Sequence, residues 1–319
     1  MLRKITGIGA VPFAIGALFL VRADRADRTG LTLASGSAAP HAVRLTHLKL
    51  NTGVELHVAE SGPADGRPVL FLHGYTDSWY SFSPILDKLS PDVRAIVPTH
   101  RGHGESDKPA CCYRIEDFAD DAVALLDALG VEKASVVGHS MGSFVALRIA
   151  ISHPDRVDRL VLIGSGPTGN TVPIREFAEV VQMLPDTVPF EFRREFQQGT
   201  AFGPLPEAFL LRVVEESGKL PGRLWRAAMS GILSFDVTEE LHRIRASTLI
   251  VWGEHDGILL RADQDALLHG IPNSRLLTYP NMAHSPNWED PARFTDALNE
   301  FLDEGSPTPG SPRFPGTSE

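Results

Sequence analysis

Gly138-His139-Ser140-Met141-Gly142 is the stretch on which the fold is decided. The residues before it, Ala134-Ser135-Val136-Val137, read as the end of a buried strand. Those after it, Ser143-Phe144-Val145-Ala146-Leu147-Arg148-Ile149-Ala150, read as a helix with an apolar face. A Gly-x-Ser-x-Gly run between a strand and a helix is the sequence form of a nucleophile elbow, which lifts the serine hydroxyl above the sheet edge. So tight a turn requires the residues two before and two after the serine to lack bulky side chains, and glycine meets that demand. The pentapeptide alone is a weak signal, because it arises by chance. With strand and helix on the correct sides it is a strong one.

Upstream of the turn, strands alternate with helices. Leu48 to Val58 alternates in polarity around Asn51-Thr52-Gly53, which predicts a pair of antiparallel edge strands. Pro68-Val69-Leu70-Phe71-Leu72 is a short apolar run of the kind expected for a parallel strand covered on both faces. It runs into His73-Gly74-Tyr75-Thr76-Asp77. A helix is expected from Trp79 to Leu89, then a strand over Val93-Arg94-Ala95-Ile96-Val97-Pro98. That strand ends in the polar loop Thr99-His100-Arg101-Gly102-His103-Gly104-Glu105-Ser106. Asp117 to Leu129 puts Phe118, Ala122, Leu125, Leu126 and Leu129 on one helical face, with Gly130 placed to cap it.

Downstream, the helix after the elbow extends to about Ser152 and stops at His153-Pro154. Arg159-Leu160-Val161-Leu162-Ile163 is the next strand, running into Gly164-Ser165-Gly166-Pro167. From about Thr168 to Thr238 strand signals vanish, and proline-punctuated helical stretches predict an insertion over the sheet edge. Sheet rhythm returns at Ser247-Thr248-Leu249-Ile250-Val251-Trp252 and Arg275-Leu276-Leu277-Thr278-Tyr279, and a closing helix runs from Pro291 to about Leu302. This alternation predicts an α/β fold, a mostly parallel sheet with helices on both faces.

The ends differ from the body. Arg3 and Lys4 precede a nearly uncharged run from Ile5 to Val21, followed by a small residue at Ala23, a pattern resembling a secretory signal peptide or a short membrane anchor. Its competing readings are a misassigned start and a packed N-terminal helix. Residues 22–42, rich in Ala, Ser, Gly and Arg, read as a linker, and the Pro/Gly/Ser-dense tail over 304–319 reads as disordered. The expected partition is a signal-like segment and linker over 1–42, a first core segment over 43–167, a helical lid over 168–240 and a second core segment over 241–303. If residues 1–23 act as a signal the protein is exported or anchored; otherwise it is cytoplasmic.

A formal net charge of −10 argues against non-specific nucleic-acid binding, which needs a basic surface. Membrane association is expected, if at all, through residues 5–21 alone, and no sequence signal sets the oligomeric state. The two cysteines, Cys111 and Cys112, are adjacent, and neighbours rarely form an unstrained disulfide, so no disulfide framework is expected.

An alcohol is a poor nucleophile at neutral pH, so Ser140 needs a base within hydrogen-bond reach and a group that orients the base. Reacting groups in open α/β sheets gather at the carboxyl ends of the strands. The strand ending at Trp252 is followed by Gly253-Glu254-His255-Asp256-Gly257, which offers an acid. The strand ending at Tyr279 is followed by Asn281-Met282-Ala283-His284-Ser285-Pro286, which offers a histidine. Glu254 competes with Asp256, but two residues earlier its side chain projects differently. Asp236 reads as a helix-entry cap. His73 is expected to stabilise its loop, and His103 and His139 to make loop contacts rather than act as bases.

The order Ser140, Asp256, His284, each just past a strand, resembles that of the α/β-hydrolase superfamily, in its lid-bearing esterase, epoxide-hydrolase and haloperoxidase-like branch. The resemblance covers about residues 44–302. It rests on His73-Gly74, Arg101-Gly102-His103-Gly104-Glu105-Ser106, the elbow pentapeptide, Trp252-Gly253-Glu254-His255-Asp256 and His284. One departure is Thr99, where relatives often carry aspartate. The resemblance implies an eight-stranded sheet with a helical lid, Ser140 as nucleophile, His284 as base and Asp256 as its orienter. It further implies an oxyanion hole from the backbone N–H groups of Tyr75 and Met141, with Gly74, Trp79 and His139 as substrate-binding candidates.

With serine rather than aspartate at the elbow, acyl chemistry is expected: hydrolysis of a small to medium apolar ester or lactone, without metal or organic cofactor. Carbon–carbon bond hydrolysis and perhydrolysis use the same three residues and stay open. So does a receptor that keeps the fold to bind a small molecule. The aromatic residues Phe177, Phe190, Phe192, Phe196, Phe202 and Phe209 read as a small helical core or as a substrate wall.

Overall fold

The apolar runs of the sequence become the strands of one eight-stranded sheet in the computed structural model, which describes residues 42–304. The signal-like and linker reading of residues 1–41 and the tail reading of 305–319 lie outside the described residues. In chain order the strands are β1 (Arg44–Lys49), β2 (Glu55–Ser61), β3 (Arg67–Leu72), β4 (Val93–Pro98), β5 (Ala134–His139), β6 (Val157–Ile163), β7 (Ser247–Gly253) and β8 (Ser274–Tyr279). Across the sheet they run β1-β2-β4-β3-β5-β6-β7-β8. β2 pairs antiparallel with β1 and with β4, and every other neighbouring pair is parallel.

The helices are α1 (Ser83–Leu86), α2 (Ile115–Ala128), α3 (Met141–Ser152), α4 (Val172–Gln182), α5 (Phe190–Gln198), α6 (Glu207–Ser217), α7 (Gly222–Leu233), α8 (Arg261–Gly270), α9 (Pro286–Glu289) and α10 (Pro291–Asp303). β3 shows why its sequence has no polar alternation. Side chains on a strand point alternately to the two faces. Leu70 and Leu72 join the core that includes Phe118 and Leu125 of α2 and Phe144 and Leu147 of α3. Val69 and Phe71 join the opposite core with Phe82, Ile85 of α1, and Phe294 and Leu298 of α10. Both faces are covered, so every position from Pro68 to Leu72 is apolar.

Between β6 and β7 run α4 to α7, with one isolated bridge, Thr168 to Asp236, across the base of the insertion. Ile174, Ala178 and Val181 of α4 and Trp225, Ala228 and Ile232 of α7 continue the first core. Leu210, Val213 and Val214 of α6 form a smaller cluster with Trp288 of α9.

Three expectations differ from what is found. The helix expected from Trp79 to Leu89 is a 3-10 turn over Trp79–Phe82 followed by the single turn of α1. Pro84, at the start of α1, has no N–H to continue a longer helical ladder. α8 was not anticipated. Its only buried residues are Gln264 and Leu267, too weak an apolar stripe to give a helical period. The structure also joins Cys111 and Cys112 to each other, with Cys112 at a φ of 74° in an exposed loop, contrary to the expectation that adjacent cysteines stay unpaired.

Candidate active site

The chain leaves β3 toward β4 on one side and returns to β5 on the other, so the strand order reverses between β3 and β5. A crevice at the carboxyl ends of such a pair is where open α/β sheets bind ligands. The register sets Leu72 beside Gly138, which brings the loop beginning at His73 next to Ser140.

Ser140 lies between β5 and α3 at φ 53° and ψ −121°, a conformation that side-chain-bearing residues rarely adopt. Such a residue stores on the order of 1–3 kcal/mol of strain and persists only where its surroundings hold it. Here its N–H donates to the Ile163 carbonyl at 2.9 Å, and its own carbonyl accepts from the Ser143 N–H at 2.8 Å. The flanking glycines are required by contact. A Cβ at Gly138 would collide with the Gly142 carbonyl, and one at Gly142 with the Leu72 carbonyl oxygen.

Asp256 follows β7 and His284 follows β8, and both are buried. Oδ1 of Asp256 accepts the backbone N–H groups of Ile258 (2.8 Å) and Leu259 (3.1 Å). Its Oδ2 lies 2.8 Å from Nδ1 of His284. A carboxylate accepts, so Nδ1 carries the proton and the lone pair sits on Nε2. Nε2 is buried and has no hydrogen-bond partner among the protein groups. Gly164 lies against the ring: a Cβ there would stand 2.8 Å from Nδ1. Glu254 is exposed, and Asp236 Oδ1 caps the N–H of Thr238 at 2.9 Å.

The other expected residues fall into two groups. Gly74 borders the serine: a Cβ on it would lie 3.4 Å from Ser140 Cβ and 3.2 Å from His139 Nδ1. Met141 opens α3, and the first N–H groups of a helix have no intrahelical partner. Tyr75 follows Gly74; its hydroxyl donates to the Trp225 carbonyl at 2.6 Å and its ring meets Phe177, Phe196 and Trp225 edge-on. His139 is buried, with Nε2 3.1 Å from the His284 carbonyl. Trp79 packs against the core on the α1/α10 face, its ring against Tyr80, and its backbone N–H donates to Thr99 Oγ1 at 3.1 Å.

Buried histidines hold that loop. His73 Nδ1 lies 2.9 Å from the Gly74 carbonyl, and the His100 N–H donates to its Nε2 at 2.9 Å. Burial, then repulsion from His100 and His103, pushes His73 well below the ordinary imidazole range. Burial brings His100 down to about 3 and His103 to about 4. All three stay neutral at physiological pH, which lets each ring nitrogen keep one fixed role. Arg101 belongs to the same scaffold, with two 2.6 Å bonds to Asp121.

The reading of motifs missed four residues. Asp77, 2% exposed, accepts from Gln197 Nε2 of α5 at 3.1 Å through Oδ1. The His284 N–H donates to the Thr200 carbonyl at 3.0 Å, and Ser285 Oγ donates to Thr200 Oγ1 at 3.1 Å. Only Asp77 carried a signal, as an acid three residues past Gly74.

The α/β-hydrolase fold family model matches residues 67–291. The chain belongs to that family and is a hydrolase. A 2-hydroxymuconate semialdehyde hydrolase of Pseudomonas sp. (strain CF600) is 29% identical over 271 residues, covering 79% of this chain and 92% of that one. An uncharacterised protein of Mycobacterium tuberculosis is 29% identical over 276 residues, covering 78% of each. Among solved structures, a thermophilic esterase from Thermogutta terrifontis superposes with a TM-score of 0.70 at 26% identity, covering 82% of this chain and 98% of that one. Among the described residues no group of three or more His, Cys, Asp or Glu side chains could hold a metal ion, and no helix is long and apolar enough to cross a membrane.

Proposed function

We propose that the protein is a serine hydrolase that cleaves a carboxylic ester or lactone of a small to medium apolar substrate through an acyl-enzyme. Ser140 Oγ attacks the acyl carbon, and its proton passes to Nε2 of His284. Asp256 fixes the ring and stabilises the imidazolium that forms. The N–H groups of Tyr75 and Met141 receive the oxyanion; losing one such donor costs about 2.7–4 kcal/mol of transition-state stabilisation. His284 then returns the proton to the departing alkoxide, breaking the ester bond. Water, deprotonated by the same Nε2, attacks the acyl-enzyme and restores Ser140. Gly74 and His139 border the substrate, and the helices between β6 and β7 serve as a lid.

The observation that carries this reading is the 2.8 Å contact between His284 Nδ1 and Asp256 Oδ2, which leaves Nε2 as a buried unpaired acceptor in a site whose serine sits at φ 53°. The apolar preference is supported by the rings of Phe177, Phe196 and Trp225, whose centroids lie 6.4, 5.9 and 5.5 Å from that of Tyr75. The relative named for a semialdehyde favours one second reading, carbon–carbon bond hydrolysis by the same three residues.

p-Nitrophenyl esters of graded acyl length test the reading. Turnover by the wild type that falls by at least about a thousandfold in Ser140→Ala is expected, since removing the nucleophile leaves only residual binding catalysis. Tight ligand binding without turnover of any ester would contradict it and favour a receptor.

A further inference from the structure

Glu289 ends α9, the short helix that follows His284, and the reaction above does not use it. Its carboxylate joins two segments of chain. Oε1 accepts the N–H of Ala283, the residue before His284, at 2.7 Å. Oε2 accepts the N–H of Phe202, which lies 87 positions away between α5 and α6, at 2.7 Å. A carboxylate oxygen on a backbone N–H makes a charge-assisted bond, about twice as strong as a neutral one. Glu289 is half-buried, so water weakens these bonds less than it would on an open surface. The side chain ties the base loop to the insertion with both oxygens engaged.

The same piece of the insertion meets both catalytic loops. The Thr200 carbonyl accepts the His284 N–H at 3.0 Å, and Thr200 Oγ1 accepts from Ser285 Oγ at 3.1 Å. The Phe202 ring stacks on His255, the neighbour of Asp256, with centroids 4.0 Å apart and planes 16° apart. The His255 N–H in turn donates to the Met282 carbonyl at 2.9 Å, so the acid and base loops are also bonded to each other.

The backbone around the base is thus held at three successive polar groups. Glu289 takes the Ala283 N–H, Thr200 takes the His284 N–H, and His139 Nε2 faces the His284 carbonyl. Asp256 grips the ring at Nδ1 alone, so the placing of Nε2 also depends on where that backbone sits. Two of the three holds involve residues 200–202 of the insertion, and Glu289 is the side chain that pins this segment down.

We propose that Glu289 is a positioning residue for His284: its carboxylate locks residues 200–202 onto the base loop and so sets the backbone that carries the base. The inference rests on the serine-hydrolase reading. In it the lid and the base move as one unit, and a displaced lid costs reaction rate rather than binding alone.

The test follows fluorophosphonate labelling of the full-length protein by intact mass, over time and over reagent concentration. The final labelled fraction counts the molecules that fold. The maximal rate constant reads how well the base is placed, and the half-saturating concentration reads binding. Glu289→Gln keeps the shape but offers one accepting oxygen, so one of the two N–H groups faces an amide NH2. Its maximal rate is expected to fall about tenfold, with the other two quantities unchanged. Glu289→Ala removes both bonds and is expected to lose about a hundredfold, the order that a 1 Å misplacement costs. Glu289→Gln decides the matter should Glu289→Ala not fold.

A folded variant that reacts at the wild-type rate, a loss confined to the labelled fraction, or a change confined to the half-saturating concentration would overturn the proposal. Wild type that labels at Ser140 beside variants that label equally fast removes this inference alone. No labelling of folded wild type removes the serine-hydrolase reading with it.

Discussion

Ser140 carries its strain in a structure that holds no substrate. Ser140→Gly relieves the φ of 53° and deletes the nucleophile together. Strain of this kind is on the order of 1–3 kcal/mol, offset in part by the larger unfolded-state entropy of glycine. Urea denaturation is therefore expected to show Ser140→Gly more stable than wild type by about 1 kcal/mol, with ester turnover lost; an equal or lower stability would mean that the turn is not strained. At this scale the sequence was informative wherever a residue lies in the short loop after a strand, as Ser140, Asp256 and His284 do. It was silent for Gln197, which meets Asp77 across 120 positions of chain and carries no motif.

The strand-turn-helix unit of β5, Ser140 and α3 owes its shape to close backbone approach rather than to glycine flexibility. Gly142 has the Leu72 carbonyl oxygen where a side chain would go, whereas Gly257 has nothing within 4 Å. Gly142→Ala is expected to cost more than about 3 kcal/mol or to prevent folding, since backbone cannot yield as a side chain can. Gly257→Ala should stay within about 0.5 kcal/mol of wild type. Similar costs for the two in urea denaturation would refute the steric account. Elements with strong periodicity were legible from sequence: β3 from its unbroken apolar run, α2 from its single apolar face. α8 was not, because the neighbours that bury Gln264 and Leu267 lie far off in the chain. The helix expected over 79–89 failed where Pro84 withheld an N–H, a feature visible in the sequence but outweighed by the apolar pattern around it.

The molecule as a whole places its chemistry where strand order reverses, between β3 and β5, and then closes the site with groups from distant segments. His73, His100 and His103 stay neutral and stiffen the loop beside the serine. Gln197 of α5 bonds Asp77 in that loop, and Thr200, just past the end of α5, accepts from the His284 N–H of the base loop. The sheet could be read in advance because each strand declares itself locally. The closure could not, because it exists only between elements.

The central claim, that Ser140 is an activated nucleophile driven by His284, is tested most directly by intact-protein mass spectrometry after exposure to a fluorophosphonate, with peptide mapping of any adduct. One adduct on wild type, mapped to Ser140 and absent from both Ser140→Ala and His284→Ala, is the predicted result. An adduct that persists in Ser140→Ala, or a folded wild type that takes none, would contradict it.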